Sequence, residues 1–347
     1  CGTLFPYTTL FRSLLADAPV ADAASTYMAI VGVGLPFSMA SIGLMAGIQG
    51  VGETRVHMVV SVAANVVNAV LGAALVFGWG PLPALGVAGA AWATVAGGLV
   101  MFALFGLRFA QRFGRPVWPG REVVQSALSM GVPSALQHLG HMSAFIVMNV
   151  ALARAGEVEL AASQIVLHIA SASFLPGAGI ADAGGILVGR YLGAGRPSDA
   201  DRALRSARWL ALGLMGAASV AFATLGAEIA SVFTKDPDVV ARAGTLMLYA
   251  ASFQVFDAAA MVQMAALRAV GDTRFCFALV AGSSWLVQVP STLLLGVVLG
   301  WGAEGAWLGL TLMVLVEAVV SGARVTRMRE GRLGRLDLLL GRDRKSV

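Results

Sequence analysis

Only two cysteines, Cys1 and Cys276, occur in the 347 residues, so the chain can build neither a disulfide framework nor a thiolate metal site. Charge is scarce as well. Asp, Glu, Lys and Arg make up 12% of the chain, against roughly 25% in a soluble domain. With 58% hydrophobic residues and a mean hydropathy of +0.79, the chain carries more apolar side chains than a water-soluble core can hide. Lysine is confined to Lys235 and Lys345. The basic balance, net +5 with a pI of about 9.8, therefore rests on arginines. They fall between apolar runs and not along one amphipathic face, which argues against a nucleic-acid partner. What remains is an all-α polytopic membrane protein.

The apolar runs predict nine spans, over 20–48, 56–78, 85–109, 124–153, 160–190, 207–233, 240–268, 275–299 and 303–323. Most are long enough to cross ~30 Å of hydrocarbon at about 1.5 Å per residue. Pro176 and Pro290 lie inside spans and remove backbone hydrogen bonds there, so kinks or breaks are expected. Small residues, with 42 glycines in all, permit close helix packing. Patterns such as Gly32-Val-Gly34 are not dinucleotide fingerprints, because no strand precedes them.

Alternate connections are arginine-rich. Arg55, then Arg108, Arg112, Arg115 and Arg121, then Arg190, Arg196, Arg202, Arg205 and Arg208, then Arg268 and Arg274, and last Arg324, Arg327, Arg329, Arg332, Arg335 and Arg342 share one side. The other side has Arg154, Lys235 and Arg242. The positive-inside rule makes the first side cytoplasmic, and the C-terminus with it. The expected location is a bacterial inner membrane, crossed many times.

The chain also repeats itself. Val51-Gly52-Glu53-Thr54-Arg55 returns about 219 residues later as Val270-Gly271-Asp272-Thr273-Arg274. Phe77-Gly78-Trp79-Gly80 then corresponds to Leu299-Gly300-Trp301-Gly302, and Val87-Ala88-Gly89-Ala90 to Ala303-Glu304-Gly305-Ala306. Two same-sense copies imply two parallel-repeat helical lobes about an axis along the membrane normal, with a site between them. Residues 14–115 form the C-terminal half of the first lobe and 116–335 a complete second lobe. Residues 1–13 and 343–347 resemble translated sequencing-adapter sequence and are set aside from the fold. On that reading the chain is a fragment lacking about 110 upstream residues, by comparison with the second copy.

Ionisable groups inside spans are functional candidates, because a carboxylate at mid-bilayer costs about 2.5–3.5 kcal/mol. Asp257 lies about 22 Å down its helix from Arg242 by the α-helical rise, and His141 and Glu317 lie about 20 Å deep. All three can meet at one level, as ion-coupling residues. Asp182, nearer the cytoplasmic side, is a fourth candidate or else a structural partner of an arginine. Asn65 and Asn68 share a helix face and, with Gln137, His138, Phe253 and Gln254, are candidates for a substrate cavity; His168 and Gln164 read as packing residues. An acid and an imidazole out of water can exchange a proton as their solvation changes. A sodium ion at Asp257 is the alternative, and His141, a poor sodium ligand, favours protons.

With these residues in hand, the chain resembles the multidrug and toxic compound extrusion (MATE) family of efflux transporters over about residues 20–330. The resemblance is carried by Gly50-Val-Gly-Glu-Thr54 with Asn65-Val-Val-Asn68, Leu85-Gly-Val-Ala-Gly-Ala-Ala91, Gly131-Val-Pro133, Leu187-Val-Gly-Arg-Tyr-Leu-Gly-Ala-Gly195, and Asp257 with Leu267-Arg-Ala-Val-Gly-Asp-Thr273. It implies two six-helix lobes, of which helices four to twelve are present. It also implies antiport of cationic drugs or metabolites against protons or sodium. No other cofactor and no nucleic-acid partner are expected, and the chain is expected to be a monomer in the bilayer. Asp257 falls where many members have a coupling aspartate. His141 stands where members often have a glutamate, a departure that weighs against sodium. A flippase for lipid-linked oligosaccharide or peptidoglycan precursors is the alternative within transport. An enzyme is not expected, because no nucleophile–base pair, His-Glu-x-x-His or acidic metal cluster is present.

Overall fold

The computed structural model describes residues 18–79, 83–114 and 120–329. The adapter-like ends and Arg115, Arg332, Arg335 and Arg342 lie outside these residues. Among the described residues nine helices are long and apolar enough to cross a membrane. The chain divides into two compact units between residues 118 and 119.

The first unit holds α1 (Ala18–Gly50), α2 (Thr54–Phe77) and α3 (Val87–Phe113). Helix α3 packs against both of the others, around a small core of Ile48, Val60 and Phe105. The second unit holds α4 (Arg121–Ala155), α5 (Glu157–Gly193), α6 (Pro197–Ala230), α7 (Pro237–Ala269), α8 (Thr273–Val298) and α9 (Ala303–Arg329). Helix α7 is its centre, packed against α5, α6 and α9, and half of its most apolar window is buried. Its inward face is almost all Ala, Met, Val and Leu, and the small residues let neighbouring backbones approach.

The sequence repeat has a structural counterpart in each unit. Gly52 and Gly271 hold positive φ angles of 88° and 80° at the turns after α1 and α7, and Gly78 and Gly300 hold 75° and 72° after α2 and α8. These are left-handed positions that glycine occupies without penalty. The acid after each first glycine pairs with an arginine near the end of the unit's last helix. Glu53 lies 2.6 Å from Arg108 and Asp272 lies 2.9 Å from Arg324. Arg112 adds a second contact to Glu53 at 3.4 Å. The last helix of each unit also rests a glycine on the backbone of the helix before it. A Cβ at Gly89 would stand 2.5 Å from the Leu75 carbonyl oxygen, and one at Gly305 would stand 2.5 Å from the Gly296 nitrogen.

Two expectations need correction. Helix α6 starts at Pro197, ten residues before the expected 207. Its charged first turns supply their own partners, with Asp199 bonded to Arg196 and Arg202 and Asp201 to Arg205, so the helix continues past the end of the apolar run. Pro176 produces no break, since α5 is one continuous helix around it. Pro290 does: α8 widens into π-helical turns at Ser284–Gln288 and Thr292–Val298 on either side of it.

At the end of the second unit away from most arginines, Arg242 of α7 joins two neighbours. Its Nε is 2.7 Å from Glu159 of α5 and its Nη1 2.5 Å from Glu304 of α9. The Tyr249 hydroxyl donates to the other Glu304 oxygen at 3.2 Å, and Glu159 accepts from the Ala303 N–H at 2.9 Å. Arg242 therefore ties three helix ends together.

Candidate functional site

A cavity of about 270 Å³ lies wholly within the second unit. Four helices present one stripe each to it, at the i, i+3/i+4 spacing that keeps side chains on one helix face. Helix α7 supplies Phe253, Asp257, Ala260, Met261, Met264 and Arg268. Helix α4 supplies Gln137, His138, His141 and Phe145; α5 supplies Phe174, Ala178, Ala181 and Asp182; α9 supplies Leu310, Met313, Val314 and Glu317, with Val280 of α8 closing one side. All four ion-coupling candidates, Asp257, His141, Asp182 and Glu317, therefore share one space.

Their surroundings differ. Asp257 and Glu317 are each only 8% exposed. Glu317 Oε1 accepts from the Ser283 hydroxyl at 2.6 Å. Asp257 Oδ2 is buried with no hydrogen-bond partner among the described residues. His141 is half-buried, with Nδ1 3.4 Å from the Ser284 hydroxyl and its ring edge-on to Phe145. Asp182 is exposed toward the cavity, and no ion pair joins it to an arginine among the described residues. Two buried carboxyl groups, the exposed Asp182 and the Arg268 guanidinium therefore face one largely apolar-walled space.

Not every candidate reaches this space. Gln137, His138 and Phe253 do. Gln254 does not: it is fully buried and its Nε2 donates across to Ser173 of α5. Its spacing from Asp257, i−3, places it a turn away and rotated toward α5. In the first unit, Asn65 donates to the Ser61 carbonyl of its own helix at 2.8 Å, and Asn68 packs against Gly97 of α3. Gln164 donates to Asn149 at 2.7 Å, holding α5 to α4, while His168 bonds the Gln164 carbonyl and stays exposed.

Several cavity groups escaped the sequence reading. Arg268 and the methionines Met261, Met264 and Met313 line the space, and Ser283 and Ser284 hold Glu317 and His141. Below Glu317, the Ser321 hydroxyl lies 2.6 Å from Gln263 Oε1 and 2.5 Å from the Glu317 carbonyl. The adjacent Ser283-Ser284 pair inside an apolar span was the visible signal.

The sequence profile of the MatE family matches residues 2–74 and 133–294. The chain belongs to the MatE family. Among its relatives, a probable multidrug resistance protein NorM of Deinococcus radiodurans is 32% identical over 325 residues, covering 90% of this chain and 71% of that protein. The multidrug resistance protein PmpM of Pseudomonas aeruginosa is 28% identical, covering 87% of this chain and 66% of its own length. This MatE chain therefore spans about two thirds to seven-tenths of those relatives. Solved structures share the fold. An outward-facing conformation of a multidrug resistance MATE family transporter of the MOP superfamily superposes with a TM-score of 0.85 at 21% identity, over 95% of this chain and 74% of the other. A MATE in the bent conformation gives 0.83 at 21% identity, over 96% and 73%.

Proposed function

We propose that this MatE chain works in a secondary active exporter that moves cationic drugs or metabolites out of the cell by alternating access, in exchange for protons. The observation that carries the proposal is Asp257, a carboxylate buried in a membrane helix, with one oxygen unpartnered and its face on a cavity shared with Glu317 and His141. Such a group has no structural pairing to maintain, and its charge can be neutralised by a proton or by a bound cation. Competition between the two for one site is the simplest form of antiport.

The surrounding residues divide the work. Asp257 takes the proton, Glu317 held by Ser283 supplies a second negative group, and His141 exchanges protons at the cavity edge. Phe145, Phe174, Phe253 and the three methionines give an adaptable apolar wall suited to diverse organic cations. One charge crossing the membrane is worth about 2.3 kcal/mol per 100 mV, enough to bias a two-state equilibrium about fifty-fold. Sodium is the competing ion. A flippase reading finds support only in Arg268, which Asp257, Glu317 and Asp182 outnumber on the same walls.

The test is efflux of a cationic dye from proteoliposomes that hold this chain completed to the length of its relatives, under an imposed pH gradient or an imposed sodium gradient; the 347-residue chain alone is expected to give none. The expected result is efflux driven by the pH gradient alone and abolished by Asp257→Asn. Efflux driven only by sodium, or undiminished in D257N, would contradict the proposal.

A further inference from the structure

Among the described residues, the second unit has several buried side-chain oxygens without a hydrogen-bond partner, Gln254 Oε1 and Asp257 Oδ2 of α7 among them. They also include Gln288 Oε1 and Thr292 Oγ1 of α8, both side chains at 0% exposure. With Ser284, also fully buried, these residues form a run at spacing four along α8. Ser284 meets His141 of α4 and the Met313 sulfur of α9 at the cavity wall. Gln288 reaches the Met148 sulfur of α4 at 3.8 Å, and Thr292 lies against Gly309 of α9. The run therefore starts at the cavity and continues between α4, α8 and α9 toward the end that the arginine distribution places outside.

Two features set this run apart from ordinary packing. First, residues at spacing four drift by about 40° per step around an α-helix. The wider turns on both sides of Pro290 offset that drift, which keeps Ser284, Gln288 and Thr292 on the buried side. The exposed neighbours Leu286, Leu294 and Val298 show where the opposite side lies. Second, the polar groups at the cytoplasmic end of the same unit are paired: Ser283 with Glu317, Ser321 with Gln263, and Asp272 with Arg324. Buried polar atoms without protein partners are expected to bond water or an ion. A step of four residues spans about 6 Å, the reach of one bridging water with two hydrogen bonds.

We propose that Thr292, Gln288 and Ser284 line a single-file water path through which a proton from the outer side reaches His141 and then Asp257, inside the second unit. The charged and titratable groups around its inner end are His138 and His141 of α4, Asp182 of α5, Asp257 and Arg268 of α7, and Glu317 of α9. None of the three lining residues is itself ionisable, so the path conducts by relay through hydroxyl, amide and water. The proposal rests on the proton-coupled reading, but it concerns access and not coupling, and its test needs no transport.

Silver ion, small and carried by water, reacts with thiols. In right-side-out vesicles holding the protein with both native cysteines replaced by serine, S284C, Q288C and T292C are exposed to external silver. The thiols that survive are then counted with a fluorescent maleimide after denaturation. All three should be blocked at least an order of magnitude faster than S163C, which replaces a buried serine held by Trp307, and L286C on the exposed side. Adding Thr292→Val should slow the blocking of Q288C from outside, because the outermost step loses its hydroxyl. Rates equal to those of S163C, blocking only from the inner side, or indifference to Thr292→Val would each overturn the path. The dye experiment on D257N decides the coupling independently.

Discussion

At the scale of the residue, the account depends on how Asp257 and its neighbours are held. Asp257 was legible in the sequence because a lone carboxylate in a long apolar run has few structural reasons to exist. The helical rise also brought His141 and Glu317 to its level, and all three line one cavity. The partners that hold them were not legible, since a serine in a membrane helix usually bonds its own backbone, as Ser41 and Ser171 do. Ser283 reaches its own Val280 carbonyl at 3.1 Å but comes closer to Glu317 Oε1, at 2.6 Å. Removing it by Ser283→Ala deprives a buried carboxylate of a donor, at a cost of about 1–3 kcal/mol. The expected outcome is a lower midpoint of thermal unfolding together with weaker dye binding, measured by fluorescence polarisation on the purified protein. An unchanged midpoint and affinity would show that the hydroxyl is incidental. Gln254 shows the converse limit. It shares a helix with Asp257 but faces Ser173, and one-dimensional spacing gave no way to distinguish an amide in a cavity from one joining two helices.

At the scale of the element, α8 differs most from an ideal membrane helix. Pro290 lacks the N–H that would close an α-turn onto Leu286, and the turns on either side widen. Replacing it by Pro290→Ala restores that donor and should draw α8 toward regular α-geometry. The expected outcome is a higher unfolding midpoint with slower silver blocking of T292C; equal blocking would show that the wide turns do not align the polar run. The glycine contacts make a second element-level prediction. A methyl at Gly305 would meet the α8 backbone at 2.5 Å, and one at Gly89 would meet the α2 backbone at the same distance. G305A and G89A should each destabilise by about 1–3 kcal/mol, the usual cost of overpacking, read as a drop in thermal midpoint. The repeat was visible as matching letters. Its physical content, two backbones in contact, needed coordinates.

At the scale of the whole molecule, the two units carry the same device at unequal depth. Asp272, with a side chain 9% exposed, is bound by Arg324, whereas Glu53 is 26% exposed and its Arg108 40% exposed. Breaking the buried pair by Arg324→Met should cost about 3–5 kcal/mol, and Arg108→Met no more than about 1 kcal/mol. Equal losses in the two variants would remove depth as the explanation. Membrane class, span number and the repeat were all readable from composition and periodicity, because apolar run length is set by bilayer thickness. The start of α6 was not, since its first turns are held by charged pairs that hydropathy reads as loop.

The central claim is that a proton and a cationic substrate compete for Asp257. It is tested most directly by measuring proton release when a cationic dye binds the purified protein in weakly buffered solution. The account predicts release of protons on binding by the native protein and none by D257N, with dye still bound. Binding without proton release in the native protein, or the same release from D257N, would contradict it.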